Sequence, residues 1–215
     1  MSTAFIIGNG PTRLGVNLHD LVGKGKIYGC NALYRDFDKF DYLVVIDEQF
    51  RKLIEMGGKE GVVEGTKLIL PPDEECVEET TGRRSNAGMN AMREAIRHGA
   101  TKLFCLGFDF VLVDEEKNTD NIYKGSDGYG EETHATYEDG KHRVNYLNWF
   151  MKNNPDIRFT FVIPEQTQLF NIGLDVDNCF GMSMDNFNKH YGEQVVVEET
   201  KDCLLYTSDA ADELC

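Results

Sequence analysis

An apolar run, Phe5-Ile6-Ile7, breaks straight into Gly8-Asn9-Gly10-Pro11-Thr12, and this stretch constrains the chain more than any other. A short buried strand that ends in glycines and leads into helix-compatible sequence is the opening unit of a doubly wound α/β sheet. Glycines there let the backbone approach an anion, and the first amides of the helix point at it. Pro11 suits the first helical position, where an N–H is not needed. Asn9 and Thr12 bring short polar side chains to the same spot. The turn GNGPTR lacks the third glycine of the dinucleotide fingerprint and is not a P-loop. It therefore reads either as a phosphate turn or as an ordinary strand-to-helix turn.

The rest of the chain repeats the pattern. Strands are expected at 4–8, 26–30, 42–46, 67–70, 102–106 and 158–163, the last closed by Pro164. Helices are expected at 13–21, with Leu14, Leu18 and Leu21 inward, and at 48–56, 85–98 and 143–152. The helix over 85–98 is the clearest, with Ser85 as N-cap, Gly99 beyond its end and Met89, Met92, Ala95 and Ile96 as its apolar stripe. Residues 74–82 are acidic and read as loop. Alternating strands and helices of this kind specify a Rossmann-like α/β fold, a mostly parallel sheet with helices on both faces. Residues 111–141 interrupt the alternation with acidic, glycine-rich sequence carrying Tyr123, Tyr129, Tyr137 and His134. Long loops in compact domains are lids or mobile insertions, and we expect a lid here.

At 215 residues the chain is long enough for one full core, and residues 1–202 are expected to form a single nucleotide-binding domain. The segment Cys203–Glu213, CLLYTSDAADE, resembles a translated sequencing adapter at the end of an assembled environmental read, so 203–215 is expected to be a non-native or disordered tail. Without its Asp209, Asp212 and Glu213 the formal charge moves only from −15 to −12. Such an acidic chain, with Arg83-Arg84 its only adjacent arginines, is poorly suited to extended nucleic-acid binding. No apolar run is long enough to span a membrane and no signal peptide is apparent. Six cysteines without a C-x-x-C pair suit reduced thiols, hence a cytoplasmic protein. Association into a homo-oligomer is left open.

Asn9, Asn31, Asp47 and Asp109 all fall at expected strand C-termini, which in this fold collect at one edge. Each also has a local explanation, since Asx residues cap turns and helices. Two D-x-D patterns, Asp36-Phe37-Asp38 and Asp175-Val176-Asp177, are of the kind metal-dependent transferases use, but such doublets arise by chance at this acidity. If a divalent metal binds, Asp47 or Asp109 is the better ligand.

GNGPT at 8–12, CNALY at 30–34 and Gly88-x10-Gly99-x7-Gly107-Phe-Asp-Phe, taken in order, resemble the bacterial sialyltransferase-like glycosyltransferases. The same turn occurs in pterin diphosphokinase-like and flagellin-glycosylation accessory proteins. The resemblance implies that Gly8, Asn9, Gly10 and Thr12 hold a nucleotide phosphate and that Asn31 contacts the nucleotide. It places Arg84, Ser85 and Asn86 at the family's R-x-T-S segment, and Gly107 and Asp109 at the nucleotide edge. A His after the lid serves the family as general base, which makes His142 or His134 the candidate. Ala87 stands where the family has a hydroxyl, and Val111 where it has a tyrosine, so Tyr123 or Tyr129 would take the latter's place.

The chemistry is consistent with these residues. Sugar transfer from a nucleotide needs the leaving phosphate stabilised, which Arg84 and backbone amides can do, and a base at the acceptor hydroxyl. Histidine, with an unperturbed pKa of about 6.5, is the natural base. The expected activity is transfer of a sugar from a nucleotide-sugar donor, a CMP-sugar by preference, to a glycan or other hydroxyl acceptor, with no required cofactor. The alternatives are a Mg²⁺-dependent pyrophosphokinase-like transferase and a non-catalytic nucleotide-sequestering protein.

Overall fold

β1 (Ser2–Ile7) lies at the centre of a seven-stranded sheet, and its Ala4, Phe5, Ile6 and Ile7 are fully buried. A strand covered on both faces must be apolar on both, which is why its sequence is continuous rather than alternating. The computed structural model describes residues 2–56, 67–69, 77–78, 82–112, 121–130, 137–164, 172–173 and 176–192. β2 (Lys26–Cys30), β3 (Tyr42–Val44) and β4 (Lys67–Ile69) extend the sheet on one side of β1. β7 (Ala100–Leu106), β8 (Arg158–Ile163) and β9 (Cys179–Ser183) extend it on the other, and every pairing is parallel. A separate two-stranded hairpin joins β5 (Val77–Glu78) to β6 (Arg83–Arg84). The Rossmann-like α/β class expected from the sequence is the class observed.

Side chains alternate across the sheet. Ala4, Ile6, Tyr28 and Cys105 pack with Met89 and Met92 of α2 (Ala87–Arg97) and Leu147 and Met151 of α3 (Tyr137–Lys152). Phe5, Ile7, Ile27 and Phe104 pack on the other face with Phe50 of α1 (Glu48–Met56) and Phe187 of α4 (Met184–Tyr191). Among the described residues no helix is long and apolar enough to cross a membrane.

Several boundaries differ from expectation, each for a local reason. In place of a helix over 13–21 there are two short 3₁₀ turns, Pro11–Gly15 and Leu18–Leu21. Gly15 ends the first, and Asn17 restarts the chain by accepting the His19 N–H. Leu14 consequently points outward, 67% exposed, while Leu18 and Leu21 are buried as expected. β3 stops at Val44 because Ile46 N–H is taken by the Asn31 side chain instead of a neighbouring strand. Asn86 rather than Ser85 caps α2, accepting the Met89 N–H at 3.0 Å. β5 lies inside the segment expected to be loop.

The expected lid at 111–141 is not one irregular stretch. Its last residues, from Tyr137, start α3, where Glu138 and Asp139 suit the positive end of the helix. Its first belongs to a 3₁₀ turn, Asp109–Val111, and residues 121–130 form compact turns. β9 and α4 went unanticipated because β9 is an edge strand, half-exposed and interrupted by Gly181, without an apolar run. The tail at 203–215 lies outside the described residues.

Candidate functional site

The chain leaves β1 and β7 in opposite directions, so their C-terminal ends frame the crevice where a doubly wound sheet takes its ligand. Here the two turns close on each other. Gly8 N–H donates to the Leu106 carbonyl at 2.8 Å, and Gly10 N–H to the Gly107 carbonyl at 3.0 Å. A Cβ on Gly8 would stand 2.6 Å from the Gly107 oxygen, and Gly107 itself takes φ +68°. Asp109, buried, completes the contact by accepting the Thr12 N–H at 3.0 Å and the Thr12 hydroxyl. The Thr12 donors expected to face a phosphate thus face a carboxylate of the chain itself. Burial pushes the Asp109 pKa above the usual carboxylate range, against the pull of the two Thr12 hydrogen bonds.

Beside this contact, toward β2 and β3, polar side chains converge. Asn9 Nδ2 donates to the Cys30 carbonyl at 3.2 Å, while its Oδ1 is buried with no partner among the described residues. Asn31, buried, adopts φ +46°, a left-handed conformation that asparagine tolerates better than most residues. That conformation turns its side chain back over the sheet edge. Its Oδ1 accepts the Ile46 N–H at 3.3 Å, and its Nδ2 donates to the Asp47 carboxylate and, at 3.3 Å, to the Tyr129 hydroxyl. Asp47 is an exposed residue whose carboxyl loses water to its neighbours, which raises its pKa. The Asn31 amide and the charges of Arg143, Arg51 and Arg84 act the other way. Burial also raises the pKa of Tyr129, whose hydroxyl is approached by the side chains of Asn31, Asn121 and Asn9.

Residues 121–130 roof this cluster. Ile122 N–H donates to the Asn9 carbonyl at 3.0 Å, and Gly125 and Tyr129 close a double turn. Buried Arg13 donates at 2.8 Å to both the Asp36 carboxylate and the Tyr123 hydroxyl. Arg35 donates to Ser126 Oγ at 2.7 Å and to the Asp127 carbonyl. The Tyr129 ring packs 4.7 Å from that of Phe50. Asp36 of the first D-x-D pattern is therefore the partner of Arg13, Phe37 is core, and Asp38 pairs on the surface with Lys39 at 3.2 Å. Asp175 lies outside the described residues, among which no group of three or more His, Cys, Asp or Glu could hold a metal ion.

A third wall is built by β6 and α3. Arg84 donates to the Asp139 carboxylate, and Asn145 Nδ2 donates to the Gly82 carbonyl at 3.2 Å. The His142 ring lies against Gly82, 3.8 Å from where a Cβ there would sit. Arg84 and His142 thus share one wall, and the charge of Arg84 reaches Asp47. Ser85 is buried 3.5 Å from Asn90 Nδ2, and Asn86 is occupied in capping α2. His134 falls outside the described residues.

Asn9, Asn31, Asp47 and Tyr129 therefore form one cluster, with Arg84 acting on its Asp47, Tyr123 in the roof, and His142 against Gly82 on the hairpin that carries Arg84. Gly8, Gly10, Thr12, Gly107 and Asp109 make the turn-to-turn contact. Arg13, Arg35, Arg51 and Arg143 were not among the expected site residues. Two of them carry a sequence signal, because Asp47–Arg51 and Asp139–Arg143 are four residues apart, the spacing that brings opposite charges together on a helix. No family model matches the chain, and no characterised protein or solved structure is significantly similar to it.

Proposed function

We propose that this chain is a glycosyltransferase that moves a sugar from a nucleotide-sugar donor, a CMP-sugar by preference, to a hydroxyl of a glycan or other acceptor in the cytoplasm. The observation that carries the reading is the position of Asp47. It is bonded to Asn31, which also bonds Tyr129, and is within electrostatic reach of Arg84, so a polar cluster and a cationic wall adjoin at one sheet edge. In this reading the nucleoside lies against Asn9 and Asn31, with the unpartnered Asn9 Oδ1 as acceptor for one of its donors. The acceptor oxygen attacks the anomeric carbon and its proton passes to His142. The bond from that carbon to the phosphate oxygen breaks, and Arg84 offsets the charge left on the nucleotide.

The test is a thermal-shift screen against CMP, UDP, GDP and their sugars, followed by transfer assays on Arg84→Ala and His142→Ala. Both variants are expected to fold and to lose transfer; an active double variant overturns the proposal. Tight nucleotide binding without donor turnover favours a sequestering protein instead. Asp47, a carboxylate at the sheet edge, favours one other reading, a Mg²⁺-dependent pyrophosphoryl transferase, and activity unchanged by a chelator eliminates it.

A further inference from the structure

Arg143 is the largely buried cation of the wall that β6 and α3 build. It sits one helical turn after Asp139, whose carboxylate already accepts from Arg84, so two guanidinium groups draw on one anion. Its Nε is buried with no hydrogen-bond partner among the described residues, and its Cζ lies 6.0 Å from the Phe110 ring. Phe110 follows directly on Asp109, so this guanidinium reaches toward the end of β7. A buried cation whose donors are not all used is costly unless an anion completes the site. In a chain of net charge −15, Arg84, Arg143 and Arg51 all act on Asp47, so three cations gather about two carboxylates, Asp47 and Asp139, at this edge of the sheet.

We infer that Arg143, together with Arg84, forms a subsite for a phosphoryl anion beside Asp47, with the Arg143 guanidinium as the group that fixes the anion's orientation. The planar fork of an arginine presents two donors to two phosphate oxygens, which a lysine cannot do. The burial that strips water from Arg143 strengthens that interaction and lowers its proton affinity in the absence of an anion. This inference rests on the nucleotide reading for its biological ligand, but the subsite itself is tested with simple anions.

The experiment measures binding of inorganic phosphate, pyrophosphate, CMP and cytidine by calorimetry to the wild-type chain and to Arg143→Gln, Arg143→Lys and Arg84→Gln. Arg84→Gln serves because its side chain is 45% exposed and its loss leaves the fold standing even where Arg143→Gln does not. Pyrophosphate is expected to bind, to weaken with added salt, and to lose at least tenfold in affinity in both glutamine variants, with Arg143→Lys intermediate. If CMP weakens in parallel while cytidine does not, the anion is the nucleotide's own phosphate. If CMP is unaffected and binds together with phosphate, the anion belongs to the acceptor, and the subsite still stands. Pyrophosphate binding that depends on Arg143 with no CMP binding supports the subsite and removes the nucleotide reading. Equal anion affinities in wild type and both glutamine variants, or no anion binding at all, overturn the inference.

Discussion

Alanine at position 10 would place a Cβ 2.5 Å from both Cγ and Oδ1 of Asp109 and 2.7 Å from the Gly107 carbonyl oxygen. Favourable carbon contacts begin near 3.5 Å, so the overlap is about an ångström. Asp109 can retreat only by giving up the Thr12 N–H and hydroxyl, and hydrogen bonds to charged groups are worth about 1.5–3 kcal/mol each. Overpacking of a tight site costs about 1–3 kcal/mol, and we expect Gly10→Ala to lose about 3 kcal/mol. Asp109→Ala is expected to lose about 2 kcal/mol, because Thr12 is left without its acceptor. In the double variant the Asp109 atoms are gone and only the Gly107 oxygen still crowds the new methyl, so the combined loss should fall about 1.5 kcal/mol short of the sum. Urea unfolding followed by circular dichroism, with the single Trp149 as a second probe, measures each corner of the cycle. Additive losses, or a Gly10→Ala variant as stable as wild type, would refute the view that glycine is there to admit Asp109. Were the residue there only to admit a ligand, ligand affinity would fall and stability would not.

Asp109→Asn keeps an acceptor for the Thr12 N–H and removes a buried charge. Because folding raises this pKa, the destabilisation it causes is absent below about pH 4 and grows as pH rises through the raised value. The variant should melt higher than wild type near neutral pH, with the gain vanishing on acidification; a gain independent of pH argues against a buried, charged Asp109. At Asn31, alanine should be less stable than glycine by about 1 kcal/mol, since both lose the same hydrogen bonds and only alanine bears the left-handed strain. Equal melting points for the two variants would dispose of that account. Arg35→Ala should speed hydrogen exchange at the Gly125 and Tyr129 amides on the order of tenfold while leaving β1 unchanged, and unaltered exchange would show that the roof is held by other contacts.

The architecture was legible because the buried stretches of β1, β7 and β8 carry mostly apolar residues, Ala4–Ile7, Leu103–Leu106 and Phe159–Val162, of which Thr160 alone is polar. The ends of β1, β2 and β7 were close to where their apolar runs stop, whereas β3 ended two residues early; Asn9 and Asn31 meet beyond β1 and β2, and Asp109 meets Thr12 beyond β7 and β1. The glycines of the first turn were read for the close approach they allow, but the approach visible here is that of Gly107 and Asp109, a hundred residues away in sequence, which no local pattern reports. Residues 13–21 misled because leucines at helical spacing outweighed Gly15 and Asn17. The start of α3 was hidden because Glu138, Asp139 and Gly140 look like loop, although the first two suit a helix N-terminus. Arg143 was passed over beside His142, since its importance lies in burial, which a charged residue in an acidic segment does not advertise.

The central position of β1 has a consequence for how the molecule is made. Phe5 pairs with Phe104, and Ala4 with Leu103, so the innermost ladder joins the first strand to one synthesised much later. Closing so long a loop is entropically slow compared with the pairing of β1 to β2. Because Gly8 and Gly10 donate to Leu106 and Gly107 at the end of that same ladder, this edge of the sheet is shaped only when β7 docks. A nascent chain released before that step would hold a half-sheet with an open flank and without the contact between the two glycine turns, so the core and that edge mature in a single event.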